Sequence, residues 1–171
     1  MPAATYTVAM FSRELADLFT RDLTRLVQEL RAFPDTDALW RLAPGITNAA
    51  GTLALHLEGN LREFVGRQLG GVAYTRDRPA EFSTRGTAQT EVVASAESLL
   101  ESIPPVIATL TSSVLDAPYP QDVFGRGMST RQFLLHLFGH LSYHLGQIDY
   151  LRRVTTGDGA IALEGMEAKR R

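Results

Sequence analysis

Three of the chain's four histidines, His136, His140 and His144, follow one another at intervals of four residues. Four residues is slightly more than one turn of an α-helix, so neighbours in this series lie on one face about 6 Å apart along the axis. Two imidazoles at this spacing can bind one metal ion, as in helical zinc-protease motifs. The outer two are about 12 Å apart on a straight helix, so one ion cannot take all three.

The apolar pattern around these histidines indicates which pair faces inward. We predict a helix over Ser129–Arg153 that begins with a capping box. His144 lies near the middle of its apolar stripe, His140 close to the stripe and His136 toward the edge. Metal sites in helical bundles use inward-facing side chains, so we predict that His140 and His144 are ligands and that His136 supports a ligand or lies at the rim. The stripe consists of Phe133, Leu137, Leu141, Ile148 and Leu151.

The fourth histidine, His56, lies on the flank of a second predicted helix over residues 47–69. A single histidine on such a face is more often a packed residue with a hydrogen-bond partner. In this chain, however, every histidine lies on a helix with apolar periodicity, and a bundle would let His56 meet His140 and His144. Three imidazoles leave a coordination position open, which is typical of catalytic rather than structural sites.

Five further residues are candidates for a role beside the ion. Asp22 lies in the centre of the apolar stripe of the first predicted helix, where a carboxylate is costly unless it is paired or near a metal. It could line the site, or it could simply pair with an arginine or a backbone group of another helix. Asn60, Gln147 and Asp22 could orient an imidazole or a bound water, and Tyr143 could donate a hydrogen bond at the rim. His136 is the fifth candidate.

Four long amphipathic segments predict an all-α four-helix bundle with longer crossover connections. They cover residues 6–33, 47–69, 88–114 and 129–153. We expect one domain over residues 1–154 and a tail, 155–171, that is poorly ordered or packed on the bundle.

Three local features of this predicted bundle can be tested against a structure. Pro104-Pro105 is expected on the outer face of the third helix, with a kink and a short break. Gly139 and Gly146 predict a close helix contact, either internal or with a second copy of the chain. The polar loop 72–86 carries three arginines and is either solvated or a lid that attracts anionic substrates.

Composition excludes several classes of partner. The net charge is −2 and the only basic run is at the C-terminus, which disfavours nucleic acid. No apolar run approaches the about 20 residues of a membrane span and no signal-peptide pattern begins the chain, so we expect a cytoplasmic protein without a membrane partner. Without cysteines, a metal must use nitrogen and oxygen ligands; we expect zinc first, with nickel and iron as alternatives.

Two segments carry a resemblance to a known superfamily. LLHLFGHLSYHLGQIDYLRR resembles the last helix of the DinB-like (YfiT-like) metalloenzymes, and PGITN followed by LALHLEGNLREFVG is similar to their second helix. The resemblance covers essentially the whole bundle and implies the ligand set His56, His140 and His144. Known relatives include thiol-dependent S-transferases and a mycothiol-dependent isomerase, and homodimers are common among them.

The resemblance therefore implies a metal-dependent transferase or hydrolase that acts on a small molecule, with a thiol as one candidate substrate. It does not imply DNA binding. Two alternatives stay open at this point. The ion could join the second and fourth helices without catalysis, or the protein could be a metal-free helical interaction or stress protein whose histidines are packed core residues.

Overall fold

The computed structural model describes residues 3–159 and 161, with side chains from residue 10 onward. Within these residues the regular structure is helical, apart from one isolated β-bridge between Pro118 and Ser129. No described helix is long and apolar enough to cross a membrane. The helices are α1 Ala3–Arg31, α2 Thr36–Trp40, α3 Ala50–Leu61, α4 Arg78–Ser83, α5 Gln89–Ala108, α6 Ser112–Asp116 and α7 Thr130–Thr156, and a π-helical turn, Arg62–Arg67, continues α3.

The four long helices form a bundle in which α1 and α3 each pack against both α5 and α7. Helices α1 and α3 therefore lie at opposite corners, and the connection through α2 crosses between them. This confirms the predicted all-α four-helix bundle with longer connections. Helix α7 continues to Thr156, and Gly157 ends it with a positive φ of 78° that favours glycine. Residue 160 and residues 162–171 of the predicted tail lie outside the described residues.

The predicted apolar stripes form the core. All five stripe residues of α7 are buried, as are Leu53, Leu57 and Leu61 of α3. The start of α7 shows one half of the predicted capping box, because the Ser129 hydroxyl accepts a hydrogen bond from the backbone N–H of Gln132 at 3.2 Å. Helix α7 therefore has a fixed start and a fixed inner face, and both determine where its histidines point.

The connection between the first two predicted helices contains the short helix α2. Its N-cap is Asp35, whose side chain accepts a hydrogen bond from the Ala38 N–H at 2.7 Å. Trp40 at its end packs on Gly51, where an added Cβ would lie 2.7 Å from the indole ring. Helix α2 was not predicted from the sequence, because five residues are too few to show a helical repeat.

The third predicted helix is two helices, α5 and α6. Helix α5 passes through Pro104-Pro105 without a break, and Pro104 is buried while Pro105 is exposed. The predictions of a break there and of an outward-facing Pro104 were therefore wrong. The helix instead ends after Ala108, where the Thr109 hydroxyl donates to the carbonyl of Val106 at 2.9 Å. Such local bonds compete with helix continuation.

The glycines of α7 do not make the predicted internal contact. Gly139 and Gly146 are exposed, and no described atom lies within 4 Å of a Cβ built at either position. The prediction that these glycines allow a close contact with another helix of the same chain was therefore wrong. A contact with a second copy of the chain stays a prediction.

Candidate metal centre

Three imidazoles converge between α3 and α7. The Nε2 atom of His140 lies 3.1 Å from Nε2 of His56 and 3.1 Å from Nε2 of His144. One ring nitrogen from each residue lies within 4.8 Å of the other two. In a tetrahedral zinc site with Zn–N distances of about 2.0–2.1 Å, ligand nitrogens are about 3.4 Å apart. The cluster therefore has close to the size that a divalent ion requires.

The outer nitrogens of two of these rings are held by hydrogen-bond acceptors. His56 Nδ1 lies 2.8 Å from Glu81 Oε2, and His144 Nδ1 lies 2.6 Å from Gln147 Oε1. A carboxylate only accepts hydrogen bonds, and the amide oxygen does the same, so each Nδ1 carries a hydrogen. In the neutral rings both Nε2 atoms then present lone pairs to His140. The Nε2 atom of His140 faces both lone pairs, so it must either carry a hydrogen that it donates to them or share a cation with them.

Glu81 is the residue that the sequence analysis missed. It lies on α4, is only 6% exposed, and accepts two hydrogen bonds from Arg76, from Nε at 2.6 Å and from one terminal NH₂ group at 2.9 Å. A Cβ at Gly59 of α3 would lie 2.0 Å from Glu81 Oε1. The carboxylate therefore reaches His56 because residue 59 has no side chain. Gly59 was the available signal, since a glycine inside a helix costs about 1 kcal/mol relative to alanine.

The arginine-bearing loop is not simply solvated, because Arg76 is paired with Glu81, whereas attraction of anions by the exposed Arg78 and Arg85 stays a prediction. Arg76 is occupied by Glu81, and Arg85 donates to the backbone carbonyls of Phe82 and Thr84. The guanidinium of Arg78 lies over the Phe82 ring at 5.2 Å from its centroid. This segment packs the Glu81 carboxylate against α3.

The environment favours the neutral form of two of the imidazoles, those of His140 and His56. Burial, together with the neighbouring His144 and His56, lowers the pKa of His140 to about 3. Burial also lowers the pKa of His56, although the hydrogen bond to Glu81 opposes this shift. Neutral imidazole is the form that binds metal ions. The donor set therefore fits a divalent ion at neutral pH.

The remaining candidates lie at different distances from the cluster. Gln147 orients His144, as predicted for this residue. Asn60 is buried, but its amide oxygen has no partner among the described residues, and Glu81 rather than Asn60 holds His56. His136 is exposed, with its ring 6.3 Å from that of His140. Catalytic roles for these residues stay predictions.

Tyr143 lies at the rim, 65% exposed, with its ring 5.2 Å from that of His144. Asp22 is buried and satisfied without any histidine. It accepts hydrogen bonds from the Ser142 hydroxyl at 2.5 Å and from Arg21 Nε at 2.8 Å. Its partners are therefore a serine of α7 and an arginine of its own helix, not the predicted arginine or backbone group of another helix.

Comparison with known proteins gives the same fold. A DinB-like protein from Bacillus cereus is 18% identical, with a TM-score of 0.66 over 87% of this chain and 95% of the other. The DinB-like protein YjoA from Bacillus subtilis is also 18% identical, with a TM-score of 0.64 over 88% of this chain and 96% of its own. At this identity the likeness shows the shared bundle fold alone. The sequence matches no individual curated protein.

The sequence also matches a family profile over most of its length. The match covers residues 14–157, from within α1 to the residue that follows α7. It therefore includes all three converging histidines. The chain belongs to the mycothiol S-transferase family.

Proposed function

We propose that this protein is a divalent-metal-dependent S-transferase that joins a low-molecular-weight thiol to an electrophilic small molecule. His56, His140 and His144 hold the ion in this proposal. The observation that carries it is the convergence of three Nε2 atoms. Glu81 and Gln147 hold the Nδ1 hydrogens of His56 and His144, so the Nε2 lone pairs of these two rings face the cluster. Membership of the mycothiol S-transferase family supports a thiol as one substrate.

The chain contains no cysteine, so the reacting sulfur must belong to the bound thiol. When bound, the ion supplies a Lewis acid that lowers the pKa of a coordinating thiol. The sulfur electron pair then forms the new S–C bond with the electrophile. The bond from that carbon to its leaving group breaks, and the leaving group departs with the bonding pair. The thiol proton goes to solvent or to the leaving group.

The contribution of the protein is to fix the ligands and to leave one position open. Glu81, held by Arg76, keeps the Nδ1 hydrogen of His56 in place, and Gln147 does so for His144. Three nitrogen ligands suit zinc, which we propose first, and also nickel or iron. A homodimer and a cytoplasmic location remain part of the proposal.

The first experiment measures metal content and thiol transfer with untagged protein. We expect about one equivalent of metal per chain in the wild type and its loss in His140→Ala. The matched control is His136→Ala, which removes the exposed histidine one turn earlier on α7 and should keep the metal. Thiol consumption with mycothiol, coenzyme A and cysteine as donors should require the metal.

Wild-type protein without metal after incubation with zinc, nickel or iron would overturn the proposal. So would thiol transfer that His140→Ala leaves undiminished. Stoichiometric metal without turnover of any thiol would instead favour the non-catalytic alternative, in which the ion joins α3 and α7. That alternative also predicts a large drop in melting temperature on chelation.

A further inference from the structure

A cavity of about 690 Å³ opens between the segment before α3 and the C-terminal half of α7. We call it the α7 cavity. Sites for small organic ligands commonly have volumes of about 300–1000 Å³, so its size is suitable. Its lining includes Ile46, Tyr143, His144, Gln147, Tyr150 and Val154.

The lining of the α7 cavity contains no Asp, Glu, Lys or Arg. Aliphatic side chains such as Ile46 and Val154 remain 45% and 64% exposed there, and Tyr150 is 68% exposed. In the metal-free protein an ionised ligand would lose hydration in this cavity without gaining a counter-charge from the lining. A second cavity, of about 450 Å³, is different because it is lined by Glu63, Arg67 and Arg76.

The α7 cavity also has a polar group that connects it to the histidine cluster. Gln147 and His144 both belong to its lining, and the Gln147 amide oxygen is occupied by His144 Nδ1 at 2.6 Å. The amide NH₂ group of Gln147 therefore points away from that bond and can donate to a ligand. A carbonyl or another neutral acceptor on the ligand would match it.

We propose that the α7 cavity binds an uncharged, largely apolar small molecule that carries a hydrogen-bond acceptor. The binding of this molecule does not depend on the proposed function. The assignment of the bound molecule as the electrophile that receives the thiol sulfur rests on the proposed function. Tyrosines on the α7 side and aliphatic side chains on both sides of the cavity favour a flat or aromatic body. The contact of the cavity with His144 places such a molecule beside the proposed metal.

The experiment uses the full chain and the fluorescent ketone Prodan, which is uncharged and aromatic and has one carbonyl acceptor. We expect one Prodan per chain in both metal-free and zinc-loaded protein. Ile46→Asp and Val154→Asp should each weaken binding at least tenfold, because they add a charge to the lining at an exposed position. The matched control, Leu135→Asp, adds the same charge to α7 at a residue that is 48% exposed and outside this lining.

The anionic naphthalene sulfonate TNS should bind at least tenfold more weakly than Prodan. Hydrogen exchange of segment 43–48 should slow when Prodan is bound, which locates the ligand without any substitution. Equal Prodan affinity in wild type, Ile46→Asp and Val154→Asp would overturn the proposal, and so would TNS binding as tightly as Prodan. The proposal would also be overturned if the wild type is a dimer that binds no Prodan and Val154→Asp dissociates that dimer. This surface would then belong to the contact with a second copy of the chain.

The two proposals fail in different ways. Loss of metal binding or thiol transfer would leave Prodan binding to the metal-free protein unaffected. Absence of Prodan binding would leave the metal content of the wild type and of His140→Ala unchanged.

Discussion

Glu81→Gln tests whether the buried carboxylate on α4 determines metal affinity. The substitution keeps the shape of the side chain but removes its charge and one of its two acceptor oxygens. The remaining oxygen and the new amide NH₂ cannot satisfy His56 Nδ1 and both Arg76 donors together, so the group that orients His56 is weakened. The altered contacts are those at 2.8 Å to His56 and at 2.6 and 2.9 Å to Arg76.

The expected effect is a 10- to 100-fold loss of zinc affinity, because partners that hold a ligating histidine typically contribute this much. It corresponds to about 1.4 to 2.8 kcal/mol of binding free energy. The affinity is measured by competition with a chromophoric chelator. The matched control is Glu63→Gln, since Glu63 is also buried and paired with an arginine, Arg67, but does not contact a histidine in the described residues.

Unchanged zinc affinity in folded Glu81→Gln would refute this account of the site. An equal loss in Glu63→Gln would also refute it, because the effect would then come from a general loss of stability. Circular dichroism and thermal melting of both variants separate these outcomes.

Three further predictions concern the site and the buried ion pair between α1 and α7. Gly59→Ala should weaken zinc binding as Glu81→Gln does, because its Cβ would lie 2.0 Å from the Glu81 carboxylate, and the same chelator competition measures it. Arg152→Ala should lower the free energy of unfolding by about 3 kcal/mol in urea, because it removes a fully buried partner of the fully buried Glu29. Stability of the metal-free protein should fall as the pH drops from about 6.5 toward 3, because the pKa of His140 is lowered in the folded state and the unfolded chain binds more protons in that window.

Each of these predictions has a control on the same helix or on the turn that continues it. Gly66→Ala should leave zinc affinity unchanged, because its added Cβ would have no described neighbour nearer than 4.0 Å. Arg153→Ala should cost less than 1 kcal/mol, because the Arg153 side chain is 36% exposed. His140→Ala should reduce the acid sensitivity observed in thermal melts, whereas His136→Ala should not. Identical losses in a variant and its control would contradict the corresponding prediction.

The positions of His140 and His144 were predictable because they depend on one helix. Their spacing and the apolar stripe of α7 are local properties, and a helix turns them directly into a shared inner face. The four long amphipathic segments likewise predicted the bundle, because each must bury its apolar face against another. The bonding of Gln147 to His144 is also local, since three residues separate them on one helix.

The decisive contacts of the site are not local. Glu81 reaches His56 across 25 residues, and it does so through a six-residue helix, a glycine on α3 and the charge of Arg76. Sequence periodicity carries no information about which helices become neighbours. Periodicity showed the inner faces of α3 and α7. Only the tertiary structure decided that a buried carboxylate holds His56 and turns the Nε2 lone pair of His56 toward the other two histidines. The reason is that helix faces follow from spacing along the chain, whereas the packing of separate segments depends on how all their side chains fit together.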